Sequence, residues 1–131
     1  MTPPDSTPRR ISTRPSGGIA VVGPCAAGKT TLVLRLRTLG FAARQIAQEH
    51  SYVADMWRRL AKPEVLIFLD ASYPTCSRRK QLDWLPQEYD EQQRRLAHAR
   101  ANCDIYVFTD DNSAEAVLQI VLQALPQVPP R

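Results

Sequence analysis

Long apolar runs are missing from this chain of 131 residues; no stretch reaches the 18 or so uninterrupted apolar residues of a membrane-crossing helix. Cysteine is scarce. Cys25, Cys76 and Cys103 are odd in number and form no CxxC pair, so their spacing indicates neither a disulfide framework nor a zinc site. They read as reduced thiols of a cytoplasmic protein. The N-terminal segment lacks the apolar stretch of a secretory signal, and its prolines would break the amphipathic helix of an organellar transit peptide. An excess of one charge is nearly absent too. Half of the net +4 sits in the first 17 residues, where Arg9, Arg10 and Arg14 face only Asp5. What remains is too weak to argue by itself for a nucleic-acid surface.

The composition, 44% hydrophobic and 23% charged, excludes a wholly disordered chain, a collagen and a coiled coil. Of the 11 prolines, four lie within the first 15 residues and three within the last six. This predicts a disordered tail over 1–17, one folded domain over 18–125 and a C-terminal tail over 126–131. Inside the domain, apolar runs alternate with helical periodicity. Ile19 to Val22 reads as a strand buried on both faces, and Lys29 to Leu39 as a helix stopped by Gly40. Phe41 to Ala47 is a weaker strand, interrupted by Arg44 and Gln45 and suited to an edge. Tyr52, Val53, Met56, Trp57 and Leu60 recur at helical spacing, and Val65 to Leu69 is the strongest strand signal.

Pro74 to Leu85 has no clean period and reads as a loop or short helix, with Pro86 opening the helix that follows. That helix places Glu88, Asp90 and Glu91 early and Arg94, Arg95 and Arg100 late, which complements its dipole. Ile105 to Phe108 is a fourth strand, and Asn112 with Glu115 would cap the last helix as a box. Strand and helix in strict alternation predict a three-layer α/β/α fold. Its minimal four-stranded parallel sheet should have the order 2-1-3-4, since right-handed crossovers place the interrupted strand at one edge.

The segment Gly23-Pro24-Cys25-Ala26-Ala27-Gly28-Lys29-Thr30 is an unbroken GxxxxGK[ST] between a strand pattern and a helix pattern. The glycines let backbone N–H groups curl around a phosphate, Lys29 reaches the β- and γ-phosphates, and the Thr30 hydroxyl ligates Mg²⁺. Thr31 adjoins the same site. A nucleoside triphosphate, a purine one such as ATP, is therefore the expected ligand. The five glycines allow no DxxG, neither asparagine precedes a lysine, and LSGGQ is missing, which excludes GTPases and transporter ATPases.

What remains resembles the small P-loop kinases, the nucleoside/nucleotide-kinase-like group that includes adenylate and dephospho-coenzyme A kinases. The resemblance is carried by the loop, by Val65 to Ser72 followed by Arg78-Arg79, and by Cys103 to Ser113 running into a helix. It implies an Arg-bearing lid after the third strand, and a loop carrying Asp111 and Asn112 that lies against the adenine. One departure concerns the acceptor. Such kinases have two strands and an acceptor-binding insertion where this chain has one weak strand and one short helix.

Phosphoryl transfer also needs a group to orient or deprotonate the acceptor and a clamp on the moving phosphoryl. Glu49, after the second strand, is the candidate base or Mg²⁺ ligand, against the alternative of an exposed loop carboxylate. His50 reads as a capping or packing residue. Asp70 has a Walker B shape and is a further metal candidate, ranked below Glu49; it would equally cap the turn before the lid. Arg78 and Arg79 are the lid candidates, with Arg94 and Arg95 behind them; for the latter pair a solvated basic face is the favoured reading. Cys25 reads as a small packing residue that would otherwise make the loop redox-sensitive. The expected function is transfer of the γ-phosphoryl of ATP, with Mg²⁺, to a small hydroxyl or phosphate acceptor. The alternative is a nucleotide-binding regulatory module without turnover; an RNA or DNA end kinase is the weaker third reading.

Overall fold

The computed structural model describes residues 18–80 and 84–129, so the expected tail over 1–17 lies outside them. Strands β1 (Ile19–Val22), β2 (Ala43–Gln45), β3 (Val65–Asp70) and β4 (Ile105–Phe108) form one sheet in the order β2-β1-β3-β4. All three pairings are parallel. The helices are α1 (Lys29–Thr38), α2 (Met56–Ala61), α3 (Tyr73–Lys80), α4 (Pro86–Arg95), α5 (Ala97–Asn102) and α6 (Ala114–Ala124), with 3₁₀ turns at Gln48–His50 and Leu125–Gln127. The three-layer architecture and the strand order are those the alternating pattern predicts.

Side chains alternate across a strand, so each strand feeds two cores. Ile19, Val21, Val65, Ile67, Leu69, Ile105 and Val107 pack with Leu32 and Leu36 of α1 and Val117 and Val121 of α6. Ala20, Val22, Leu66 and Phe68 point the other way, to Trp57 of α2, Ala99 of α5 and Leu96 at the break between α4 and α5. In β2 only Ala43 is buried while Arg44 and Gln45 are exposed, which is how an edge strand tolerates polar residues.

Four local readings need correction. The helix expected from Tyr52 begins at Met56, and Tyr52 and Val53 are exposed. The cause is Gln48, whose Oε1 accepts from Trp57 N–H at 2.8 Å while its Nε2 donates to the Val53 carbonyl at 2.8 Å, holding 51–55 out of helix. The basic residues expected late in one helix are divided between α4 and α5. The cap of α6 is Ser113, whose Oγ accepts from Ala116 N–H at 3.1 Å; Asn112 donates to the Phe108 carbonyl instead, and Glu115 pairs with Arg35. The expected tail from 126 is partly structured, because Val128 packs on the core beyond the 3₁₀ turn.

Gly23 ends β1 against the C-terminal end of β3. A Cβ there would stand 2.0 Å from the Leu69 carbonyl oxygen, a backbone atom that cannot move without breaking the sheet. Gly23→Ala should therefore cost ~3 kcal/mol or more by urea denaturation. A loss under ~1 kcal/mol would show that the strands can part there.

Candidate functional site

The carboxyl ends of parallel strands are where such sheets expose backbone and side chains to a ligand. Here β1 leads through the 23–28 turn into α1, whose cap Gly28 takes the left-handed conformation (φ +103°) and offers no side-chain bond. The first-turn N–H groups of α1 thus lack partners within the helix, at the positive end of its dipole. Ala26 is also left-handed (φ +67°), and Arg79 Nη1 donates to its carbonyl at 3.0 Å.

Lys29 does not extend into solvent. Its side chain is buried, and Nζ donates to the carbonyls of Gly23 at 2.7 Å and Pro24 at 3.1 Å and to Glu49 Oε2 at 2.9 Å. Glu49 is likewise buried, 4% exposed, which overturns its alternative reading as an exposed loop carboxylate. Its second oxygen, Oε1, is buried with no hydrogen-bond partner. Gln48 anchors the short turn that carries Glu49, and Arg95 Nη1 donates to the Glu49 carbonyl at 3.4 Å. Glu49 lies beside the 23–30 loop, as its place after β2 predicts, and there it pairs with Lys29. The Thr30 hydroxyl accepts from Gln45 Nε2 at 2.9 Å, and Glu49 goes to Lys29.

Cys25 stands at the other lip of the loop. Its N–H donates to Gln92 Oε1 at 3.0 Å, and Gln92 Nε2 donates to its sulfur at 3.1 Å. The sulfur lies 3.5 Å from His50 Nε2 and 4.0 Å from Glu49 Oε2. Cys25 is therefore only half-buried in a polar setting and is more than a packing residue, and His50 is part of the same cluster.

Asp70 is a correction. Its Oδ1 accepts from Ala71 N–H at 3.0 Å and Gln93 Nε2 at 3.2 Å; its Oδ2 accepts from Arg100 at 3.0 Å and the Tyr106 hydroxyl at 2.7 Å. Four donors satisfy the carboxylate within the protein, so it ties β3 to α4, α5 and β4 rather than offering oxygens to a metal. The two lid arginines also separate. Among the described residues Arg78 reaches only Thr75 of its own helix, at 3.4 Å, whereas Arg79 is fixed by Ala26 and by the hydroxyl and carbonyl of Thr109. Arg79 is thus a brace between the 23–30 loop and the end of β4, not a free lid residue.

Two hollows meet at the loop. One, about 240 Å³, is lined by Ala26, Ala27, Gly28, Thr31, Arg79, Thr109, Asn112 and Val117 among others. Asn112 lines it; Asp111 does not, and its neighbour Asp110 instead accepts from the Ser72 hydroxyl and N–H. Burial pushes the Asp110 carboxyl up, but the Ser72 bonds prevail and hold it below its ordinary value. The other, about 640 Å³, is lined by Cys25, His50, Lys80, Trp84, Gln87, Glu88, Glu91, Gln92 and Arg95. A further hollow of about 320 Å³, around Gly18 and Phe41, lies at the amino ends of β1 and β2, away from the loop. Sequence reasoning missed Gln92, Lys80 and Trp84 as site residues, and Arg95, favoured as part of a solvated face, lines the larger hollow. No short motif marks them, since they reach the loop only through the packing of α3 and α4.

The Tyr106 ring is half exposed, yet its hydroxyl is turned in to Asp70. Burial first, and then the bond to the Asp70 carboxylate, push the phenol up to about 12 from its ordinary 10.0. The neutral phenol is therefore favoured in the folded chain, and the unfolded chain loses its proton first. Stability should fall as the pH rises from 10.0 to about 12, and Tyr106→Phe should make that limb shallower, leaving what half-buried Tyr89 and buried Cys76 contribute. A Tyr106 that ionises together with exposed Tyr52 in a spectrophotometric titration would disprove the Asp70 bond.

No helix among the described residues is long and apolar enough to cross a membrane. No known family model and no curated protein matches this chain.

Proposed function

We propose that this chain is a small P-loop kinase of the nucleoside/nucleotide-kinase-like type, transferring the γ-phosphoryl of ATP to the hydroxyl or phosphate of a small acceptor. The observation that carries the reading is the place of the 23–30 loop between two hollows, one reached through Ala26 and Gly28 and the other through Cys25. A phosphoryl donor and an acceptor need such an arrangement, with the phosphates held between them.

In this reading the base of the nucleotide occupies the hollow that Arg79 and Asn112 line, and its phosphates lie on the N–H groups at the start of α1. Lys29 supplies positive charge to the β- and γ-phosphates. The acceptor lies in the larger hollow, where Lys80 and Arg95 suit an anionic substituent and Trp84 a flat or apolar one. The acceptor oxygen bonds to the γ-phosphorus, the bridging oxygen leaves with ADP, and the proton passes to Glu49, whose Oε1 is the one unpartnered carboxylate oxygen buried beside the loop among the described residues. The donors present suit Mg²⁺ in part: the Thr30 hydroxyl is an oxygen ligand at the start of α1, while Asp70 is committed elsewhere. When bound, Mg²⁺ would neutralise charge on the transferring phosphates, held by Thr30 and the nucleotide's own oxygens. The alternative, a nucleotide-binding module without turnover, is favoured by that commitment of Asp70.

Removing Lys29 alone would strand a buried carboxylate and cost ~3–5 kcal/mol by itself. The binding test therefore removes both charges. In Lys29→Met/Glu49→Gln, MgATP should no longer raise the melting temperature, whereas it should raise that of the parent by several degrees. Glu49→Gln alone should lower phosphoryl transfer, screened against nucleosides, nucleotides and small metabolites, by ~10²–10⁴-fold while ATP affinity changes little. Equal MgATP shifts in parent and double variant would sink nucleotide binding. Binding without transfer to any acceptor would select the regulatory module.

A further inference from the structure

The geometry points to a zinc-class metal site at the mouth of the loop, formed by Cys25, Glu49 and His50 and acting as an off-switch on Glu49. One ligand atom from each residue lies within 4.8 Å of the others. Tetrahedral zinc with bonds of about 2.3 Å to sulfur and 2.0–2.2 Å to nitrogen and oxygen sets sulfur and nitrogen roughly 3.5 Å apart. The observed Cys25 Sγ to His50 Nε2 separation is 3.5 Å. The distances from Glu49 Oε2, 4.0 Å to the sulfur and 3.8 Å to the imidazole nitrogen, need to contract by only a few tenths of an ångström.

An independent observation comes from Glu49 itself. Its carboxylate is nine-tenths buried, Oε2 holds Lys29, and Oε1 has no partner. A buried acceptor left over in this way is costly unless a cation or donor meets it. A metal would take Oε2, the oxygen that faces Cys25 and His50, and the carboxylate would turn its unpartnered Oε1 to Lys29.

The donor set selects the ion. A thiolate, an imidazole and one carboxylate suit Zn²⁺ and disfavour Mg²⁺, which asks for oxygen ligands in an octahedron. Gln92 Nε2, donating to the sulfur at 3.1 Å, holds and orients it as an outer-shell partner would. Binding would release the Cys25 proton to solvent. Three protein ligands leave a fourth position for water, on the side where Cys25 and His50 line the larger hollow. The spacing of the cysteines along the chain cannot reveal this site, because its ligands come from the turn after β1 and the turn after β2.

Occupancy of the site is independent of the kinase reading; the switch rests on it, since a metal on Glu49 removes the group that would take the acceptor's proton. The test uses the full chain without an affinity tag, reduced and stripped with a chelator. Zn²⁺ should bind one per chain in competition with a chromophoric chelator, and Co²⁺ should give a thiolate charge-transfer band. Cys25→Ser should abolish the band, and His50→Ala, at an exposed position, should weaken Zn²⁺ by ~100-fold or more, at least the effect of losing an outer-shell partner. Cys103→Ser should change neither. No band in the parent, a band that survives Cys25→Ser, or unchanged Zn²⁺ affinity in His50→Ala would each overturn the site. With MgATP in fixed excess, any phosphoryl transfer by the parent should fall in step with Zn²⁺ occupancy and recover with chelator. Transfer unaffected at full occupancy would overturn the switch and leave the site; absence of transfer from metal-free parent would instead count against the kinase reading.

Discussion

A buried ammonium has to be met by acceptors, and Lys29 is met by three. Two are carbonyls of the loop that precedes it and the third is Glu49, from the turn after β2. That single group therefore joins the end of β1, the start of α1 and the end of β2. It can do so only if β2 lies directly beside β1, as the sheet has it. It also requires the 3₁₀ turn to present Glu49 inward, which the buried Gln48 achieves by bonding to Trp57 and Val53. Much of what is unusual around the site follows from this: the shortened α2, the exposed Tyr52, and a carboxylate with one oxygen left unpartnered.

Asp70 shows the opposite solution at the end of the next strand. Its carboxylate is nearly as buried as that of Glu49, but four donors from four parts of the chain satisfy it. Arg100, which also lies over the Phe68 ring at 4.6 Å, brings charge and apolar contact to the same joint. A fully satisfied carboxylate fixes architecture, whereas one with a free oxygen retains chemistry to offer. The acids at the ends of β2 and β3 thus have different uses, set by their surroundings rather than by residue type.

The loop itself is shaped by contacts from both sides. Arg79 holds the carbonyl of left-handed Ala26, and Gln92 holds Cys25 through its N–H and its sulfur. These two braces come from α3 and α4, in the segment following β3. The larger hollow is built by the same helices.

The amino-acid sequence by itself determined the elements with strong local signals. The apolar runs of β1, β3 and β4, the GxxxxGK[ST] turn and the edge character of Arg44-Gln45 follow from periodicity and glycine placement, and right-handed crossovers then leave little choice of strand order. It also singled out Glu49, because a parallel sheet presents residues beyond its strand ends. Tertiary structure decided what each polar side chain meets. Glu49 meets Lys29 rather than Thr30, Asp70 is saturated, Arg79 braces the loop while Arg78 does not, and Cys25 and His50 come together across 25 residues. The reason is physical: burial and pairing of polar groups depend on which strands become neighbours, and local spacing carries no record of that.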